Sequence, residues 1–290
     1  MEYQNQSTET LVLSPSRVKK WIRCKRSYHW RYNGKLVRRQ KSFPLTLGIV
    51  ISEILADYYR EDPSARSQEL LDQAYQASLS RNRSLFLGEG SNAERLVGWR
   101  KLSRRVEFLL SHYHDFAKVK DDFEVRCVEE RQEIGLTFNL SLLAIPDTIV
   151  YLPGDDPIPM ILEHKYRSKF KLGDFGIDYQ SAYSCLASGT LGTIYNVGVY
   201  SKGRWIRDTI MRSDYELGYF RDMLIHIGND ILNTAPEDMY PMPMGKCYCD
   251  YWELCNGEMT GLDLDDIISE VYVSTSKQKS LEEEEPEVKE

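Results

Sequence analysis

The sequence predicts an α/β fold, with a small sheet in the middle of the chain, helices before and after it, and a helical insertion at about residues 60–120. Three observations carry that prediction. From Phe123 onward the chain breaks into short runs rich in Val, Ile, Leu and Thr, the residue types of half-buried and buried strands. Upstream, Leu96, Trp99, Leu102, Val106, Leu109 and Tyr113 recur at steps of three and four, the period of an amphipathic helix. The 290 residues are 42% hydrophobic and 11% aromatic, enough to bury a substantial core, which excludes collagen-like, disulfide-scaffold and wholly disordered classes.

Residues 1–12 read as a flexible polar lead, after which Ser14-Pro15 supplies an N-cap and a proline at the first helical position. The helix they open runs through Val18, Trp21 and Ile22, with Cys24 near its end and Asn33-Gly34 as a break. Residues 45–59 form a largely buried helix carrying Glu53, and residues 93–116 the amphipathic one. Residues 123–134, 136–152 and 160–166 read as strands, the last two separated by the turn Pro153-Gly154-Asp155-Asp156-Pro157. A helix follows at 177–187, then a hairpin of 195–202 with 204–212 through Lys202-Gly203, then a helix at 213–232 capped by Ser213. With no repeat and no convincing linker, the expectation is one domain over 13–272 and an acidic disordered tail over 273–290.

The first ten residues lack the basic-then-apolar order of an export signal and no membrane-length apolar run exists, so the expected setting is soluble and cytoplasmic, with no membrane partner. A formal charge of −7 hides a division. Between Leu11 and Ser52 there is no acid, while Arg17, Lys19, Lys20, Arg23, Lys25, Arg26, Arg31, Lys35, Arg38, Arg39 and Lys41 are basic. Trp21, Tyr28, Trp30, Tyr32 and Phe43 are interleaved with them, and cations beside stackable rings suit a nucleic-acid strand. The competing reading is a solvated helical face with its aromatics turned to the core.

The chemistry gathers in IPDTIV and ILEHKYR. Alternation places Glu163 and Lys165 on one strand face, and hairpin pairing brings Asp147 beside Glu163. Two facing carboxylates repel unless a divalent cation holds them, and an oxygen donor set suits Mg²⁺ or Mn²⁺. Lys165 would then orient or help deprotonate the attacking water and balance charge on a phosphate. His164 falls on the opposite face, where its ring reads as structural.

Pro146-Asp147, a spacer, then Glu163-His164-Lys165 resembles the PD-(D/E)XK nuclease superfamily. LSPSRVKKWIRCKRSYHWRY resembles the opening of its RecB-like members, among them helicase-associated nucleases, CRISPR-adaptation exonucleases and phage recombination exonucleases. Tyr179-Gln180 with Tyr183 is similar to their Gln/Tyr helix, which approaches nucleic acid. The resemblance runs from about Leu13 to Gly257. It implies a restriction-endonuclease-like core, a small mixed sheet flanked by helices, with an iron-sulfur patch joining the two ends. It implies catalysis by Asp147, Glu163, Lys165 and Gln180, and metal held by Asp147, Glu163 and the His164 carbonyl, with Glu53 as a further candidate. One departure stands out: where the family has Gly, three residues, His, Glu, this chain has Gly48, three residues, Ser52, Glu53, so a metal-ligating histidine is replaced.

Cys247, Cys249 and Cys255 cluster in KCYCDYWELCNG, and Cys24 lies at the other end of the chain. The resemblance implies that these four hold a 4Fe-4S cluster, with a structural zinc site as the rival. The family spacing C-x2-C-x5-C appears here as C-x-C-x5-C. Cys127 and Cys185 read as core residues. The expected activity is a metal-dependent exonuclease on single strands or duplex ends of DNA, in recombination, repair or CRISPR-related processing with partner proteins of those pathways. The implied nucleic-acid contacts are Arg17, Lys20, Arg23, Lys25, Arg26, Tyr28, Arg31, Tyr179, Gln180 and Tyr183. Ser52 keeps open a catalytically degenerate nucleic-acid- or partner-binding protein, and a coincidental motif leaves a structural zinc protein.

Overall fold

The computed structural model describes residues 10–87, 93–241 and 249–275. Strand β1 (Leu11–Leu13) leads into α1 (Pro15–Arg23), the short α2 (Lys25–Tyr28), one wide π-helical turn at His29–Asn33, and β2 (Leu36–Arg38). Helices α3 (Phe43–Arg60), α4 (Gln68–Leu87), α5 (Ala93–Leu110) and α6 (Tyr113–Lys120) follow. Next come β3 (Glu124–Val128), β4 (Gln132–Thr137), β5 (Leu140–Ala144), β6 (Thr148–Leu152), β7 (Ile158–Arg167) and helix α7 (Tyr179–Ser188). The chain ends with β8 (Gly192–Val199), β9 (Arg204–Met211), α8 (Asp214–Asn233), α9 (Trp252–Met259), α10 (Asp265–Val271) and β10 (Tyr272–Ser274). Two compact units divide it, Met1–Pro15 with Ser42–Gly228 and Ser16–Lys41 with Asn229–Glu290, where the sequence suggested one domain over 13–272.

The first unit holds a five-stranded sheet in the order β3-β6-β7-β8-β9 and a three-stranded sheet in the order β1-β5-β4. The large sheet is mixed, because β7 and β8 are parallel and every other neighbour pair is antiparallel. A parallel pair needs a crossover, and α7 provides it, packing on β7 and β8 and also on β4 and β5. Even-numbered residues of β6, β7 and β8, among them Val150, Met160, Leu162 and Ile194, join a core with Ile51, Ile54, Leu55, Leu102, Val106 and Leu109 of α3 and α5. Odd-numbered residues of β7 and β8 therefore face the α7 side.

A closed ring of buried hydrogen bonds lies on the helix side of β8. The Tyr59 hydroxyl donates to Asp121 Oδ2 at 2.9 Å, Arg207 bonds Asp121 Oδ1 at 2.6 Å and Asn196 Oδ1 at 2.9 Å, Asn196 donates to the Tyr113 hydroxyl at 3.0 Å, and the two tyrosine hydroxyls are 2.7 Å apart. The polar side chains of this ring thereby satisfy one another, which ties α3 and α6 to the sheet.

Several expectations are refined. The helix over 93–116 breaks at Ser111-His112 into α5 and α6. The strand over 123–134 is two strands in two sheets, divided where Glu129 takes a left-handed backbone with φ 52°. Leu11 and Val12, placed in the lead by sequence, pair in parallel with Leu140 and Ser141. The β8/β9 hairpin turns through Gly203 at φ 57°, and Ser213 forms a reciprocal capping box with Glu216.

In the second unit the segments from the two ends of the sequence meet, β10 pairing antiparallel with β2 from Tyr272 with Arg38 to Ser274 with Leu36. Trp30, Leu36, Tyr251, Leu254, Cys255 and Tyr272 form its core, and the Tyr251 hydroxyl donates to the Leu36 carbonyl at 2.7 Å. Of the disordered tail expected over 273–290, Val273 and Ser274 instead pair with Val37 and Leu36, and the acidic run at 281–290 lies outside the described residues.

Candidate active site

The β6/β7 ladder pairs Thr148 with Leu162, which puts Asp147 opposite Glu163 one position further on. The turn before β7 sets that register, and a slip of one residue would turn Glu163 into the core. His164 donates its backbone N–H to Asp147 Oδ2 at 2.7 Å, and Glu129 donates its own to the Asp147 carbonyl at 3.0 Å. Lys165 Nζ lies 2.6 Å from Glu163 Oε1, two residues along the same face. Burial and then the neighbouring Glu163 charge push the Asp147 carboxyl well above its ordinary range. Burial opposes the charged form of Lys165, yet the Glu163 and Asp147 carboxylates outweigh it and raise its pKa. Lys165 therefore acts as an ammonium. The donor chemistry fits a hard divalent cation, since it would relieve the burial and the neighbouring charge that hold the Asp147 carboxyl above its ordinary range.

The raised pKa has a consequence for stability. A carboxyl that binds its proton more tightly folded than unfolded favours the fold below the ordinary Asp range, and that contribution is lost as pH rises through the raised value. Asp147→Asn, which keeps an oxygen for the His164 N–H, is thus expected to melt about 2 °C or more above wild type at pH 8 in EDTA, the gap closing toward pH 4. Added Mg²⁺ should raise the wild-type midpoint and leave the Asn variant unmoved. A scanning melt at several pH values checks both, and a gap of opposite sign would refute the buried-repulsion account.

His164 behaves as the strand alternation predicts. Its ring stacks on Tyr59 with centroids 5.7 Å apart, and burial followed by the Arg207 charge lowers its pKa to about 3, so the ring is neutral. Ser52, at the position of the family histidine, lies beside the Tyr166 hydroxyl, which burial and the Asp147 charge keep protonated. Glu53 Oε2 accepts from Ser78 at 2.5 Å and Asn82 at 2.9 Å on α4, so a large part of its donor capacity is spent away from Asp147 and Glu163. An open groove of about 460 Å³, lined by Pro44, Gly48, Ser52, Glu53 and Glu129 among others, runs along α3.

Gln180 opens α7, its N–H donating to Asp178 Oδ1 at 3.1 Å. Tyr183, expected at the nucleic acid, is a core residue: its ring is fully buried against Phe220, which leaves Tyr179 and Gln180 as the half-buried residues of that helix turn. Two neighbours escaped the sequence reading. Asp178 caps α7, accepts from the Tyr195 hydroxyl at 3.1 Å and helps hold Lys165 charged; an Asp before the first helical residues was the available signal. Glu129, whose charge reaches Asp147, had none.

Four of the eleven cations of the basic segment, in the second unit, pair with acids of the same unit. Lys25 pairs with Asp230 at 2.9 Å, Arg38 with Glu253 at 2.5 Å, Lys20 with Asp250 at 4.0 Å, and Arg26 with both oxygens of Glu258. Tyr28 is 2% exposed and its hydroxyl accepts from Arg17 Nε at 3.0 Å, so its ring is packing rather than a stacking platform. Arg23 is exposed and Arg31 half-buried. Reversing Lys25 or Arg26 to Glu would therefore disturb the unit as well as any bound strand.

Cys24 caps α2, its Sγ accepting from the Ser27 N–H at 3.5 Å. Cys24 and Cys255 are buried and both feel the Arg26 charge, and Cys249 feels Lys20. Cys247 lies outside the described residues. Among the described residues no three His, Cys, Asp or Glu side chains come together as a metal-holding group. The four-cysteine geometry implied by the resemblance is therefore not displayed. Cys185 is fully buried, as expected, and Cys127 is half-buried on β3. No helix among the described residues is long and apolar enough to cross a membrane.

A family model described as the PD-(D/E)XK nuclease superfamily matches residues 12–256. Among solved structures, a protein of Eubacterium rectale described as a "putative exonuclease" superposes with a TM-score of 0.53 at 14% identity, over 88% of this chain and 93% of that one. That likeness concerns the fold. The protein SSO0001 aligns over 89% of this chain and 87% of its own at 11% identity, with a TM-score of 0.34 that carries no argument. No curated protein matches the sequence significantly.

Proposed function

This chain belongs to the PD-(D/E)XK nuclease superfamily, and from that premise we propose that it is a divalent-metal-dependent nuclease that hydrolyses DNA from single-stranded or duplex ends. The observation that carries the reading is the register that sets Asp147 opposite Glu163 with Lys165 beside them. Asp147, Glu163 and the His164 carbonyl would hold Mg²⁺ or Mn²⁺, which supplies Lewis-acid activation of the phosphate and the attacking water. The His164 N–H fixes one Asp147 oxygen, and Asp178 and Glu163 keep Lys165 protonated, so that its ammonium stabilises negative charge gathering on the phosphoryl oxygens. Gln180, at the first turn of the α7 crossover, would contact the strand. The exonucleolytic mode draws support from the RecB-like motifs of the sequence.

The finer reading extends to a 4Fe-4S cluster on Cys24, Cys247, Cys249 and Cys255, with zinc as its rival. It rests on the resemblance and on Cys24, Cys249 and Cys255 belonging to one unit, with Arg26 and Lys20 close to them. The engagement of Glu53 by α4, and a serine at position 52 where the family has histidine, favour the second reading, a degenerate nuclease that binds nucleic acid without cutting it.

Incubation of the purified chain with end-labelled linear and closed circular DNA, single- and double-stranded, decides between them. The expected result is loss of linear substrates with Mg²⁺ or Mn²⁺, sparing of closed circles, and no reaction in EDTA. Binding without cleavage under every metal condition would replace the nuclease with the degenerate protein.

A further inference from the structure

We propose that residues 167–178, the end of β7 and the loop to α7, form a wedge for the end of a nucleic-acid duplex, with Leu172 and Ile177 entering at the terminal base pair. Arg167, Lys169 and Lys171 hold the phosphates beside it. The inference rests on the nuclease reading and adds the form of the substrate. Leu172 is 65% and Ile177 88% exposed, and singly such residues mean little. Here they share one anchored loop. Phe175 is 5% exposed and stacks between Phe170 at 5.4 Å and Tyr195 at 4.3 Å. The buried Arg212 guanidinium donates to the carbonyls of Gly176 at 2.7 Å and of Phe175 and Asp178 at 3.5 Å. Gly173 donates its N–H to Asp208 at 2.9 Å, and Lys171 to Asp174 at 3.0 Å.

Those last two bonds also occupy the nearby carboxylates with backbone donors. Among the described residues, no side chain of Arg167, Lys169 or Lys171 is paired with an acid, in contrast to the basic segment of the other unit. All three are exposed. Both ends of the segment lie by the candidate catalytic pair: Arg167 follows Glu163 and Lys165 on the same face of β7, and Asp178 accepts at 3.1 Å from the hydroxyl of Tyr195, the ladder partner of Glu163 on β8. A loop for free single strands would present aromatic rings for bases to stack on. This one turns its rings inward and presents branched aliphatic tips between cations, the pattern of side chains that insert between base steps and unstack them.

The test uses a blunt duplex with 2-aminopurine in its terminal pair. Binding by the Glu163→Gln protein should raise the fluorescence as the pair opens, and Leu172→Ser with Ile177→Ser in that background should abolish the rise. In the active protein the same double substitution should lower the ratio of duplex to single-strand cleavage rates about tenfold or more. Lys169→Ala with Lys171→Ala should flatten the dependence of log Kd on log salt by about 2. Because the substituted side chains are exposed, the melting midpoint should stay at the wild-type value. A fluorescence rise that survives the double substitution, or equal slowing of both substrates, would overturn the wedge. Absence of any cleavage by wild type would instead defeat the nuclease reading, while the fluorescence experiment still judges the loop.

Discussion

Glu163→Gln is expected to lower metal-dependent cleavage by about a thousandfold or more while DNA affinity in Ca²⁺ stays near wild type. The substitution keeps the shape of the side chain and an oxygen for Lys165 Nζ, which lies 2.6 Å from Glu163 Oε1, so the strand geometry should persist. What it removes is a unit of charge, and a neutral amide is a poor donor for a hard divalent cation. The variant carries its own control. Glu163 is one cause of the raised Asp147 pKa, so in the Gln variant that value should fall toward the ordinary range, visible as a shift in the pH dependence of the melting midpoint. Lys165→Met should also lose most activity, by a different route: metal affinity is retained, and the ammonium that offsets phosphoryl charge is missing. Binding of Mn²⁺ measured by calorimetry separates the two. Full activity in Glu163→Gln would sink the assignment of the site.

The pairing of Asp147 with Glu163 was legible because period-two alternation and one short turn leave little freedom in a hairpin register. His164 was legible for the same reason, since a residue between two same-face neighbours must point into the core. The fate of the basic segment was not. Asp230, Asp250, Glu253 and Glu258 lie some two hundred residues downstream, and no local pattern says which cations they meet. Tyr28 and Tyr183 were misread because a ring among charges looks alike in sequence whether it faces solvent or the core; burial depends on what packs against it. The split of residues 123–134 turned on a single left-handed residue, Glu129, a conformation that glycine or asparagine would have advertised.

The cysteines give the second large effect, and the structure sharpens its test. Cys24 and Cys255 lie well over two hundred residues apart in sequence, so a shared cluster would act as a crosslink closing a long loop, with stabilisation of up to about 5 kcal/mol. That is comparable with the whole net stability of a domain. Replacement of Cys24, Cys247, Cys249 or Cys255 by Ser should therefore cost iron, solubility and cleavage together, whereas Cys127→Ser and Cys185→Ser should keep the iron. Position 24 is the discriminating one. Cys24 caps α2 through its Sγ, and serine is the better N-cap, so Cys24→Ser preserves or improves the local helix start. The core of Trp30, Leu36, Tyr251, Leu254 and Tyr272 would still join the ends of the chain without metal. If those contacts alone hold the unit, Cys24→Ser should be nearly neutral in melting and activity. Collapse of that variant, with loss of iron and sulfide from anaerobically purified protein, identifies the staple; a wild-type protein that is folded and active with zinc, or with no metal at these thiols, rules out the iron-sulfur assignment.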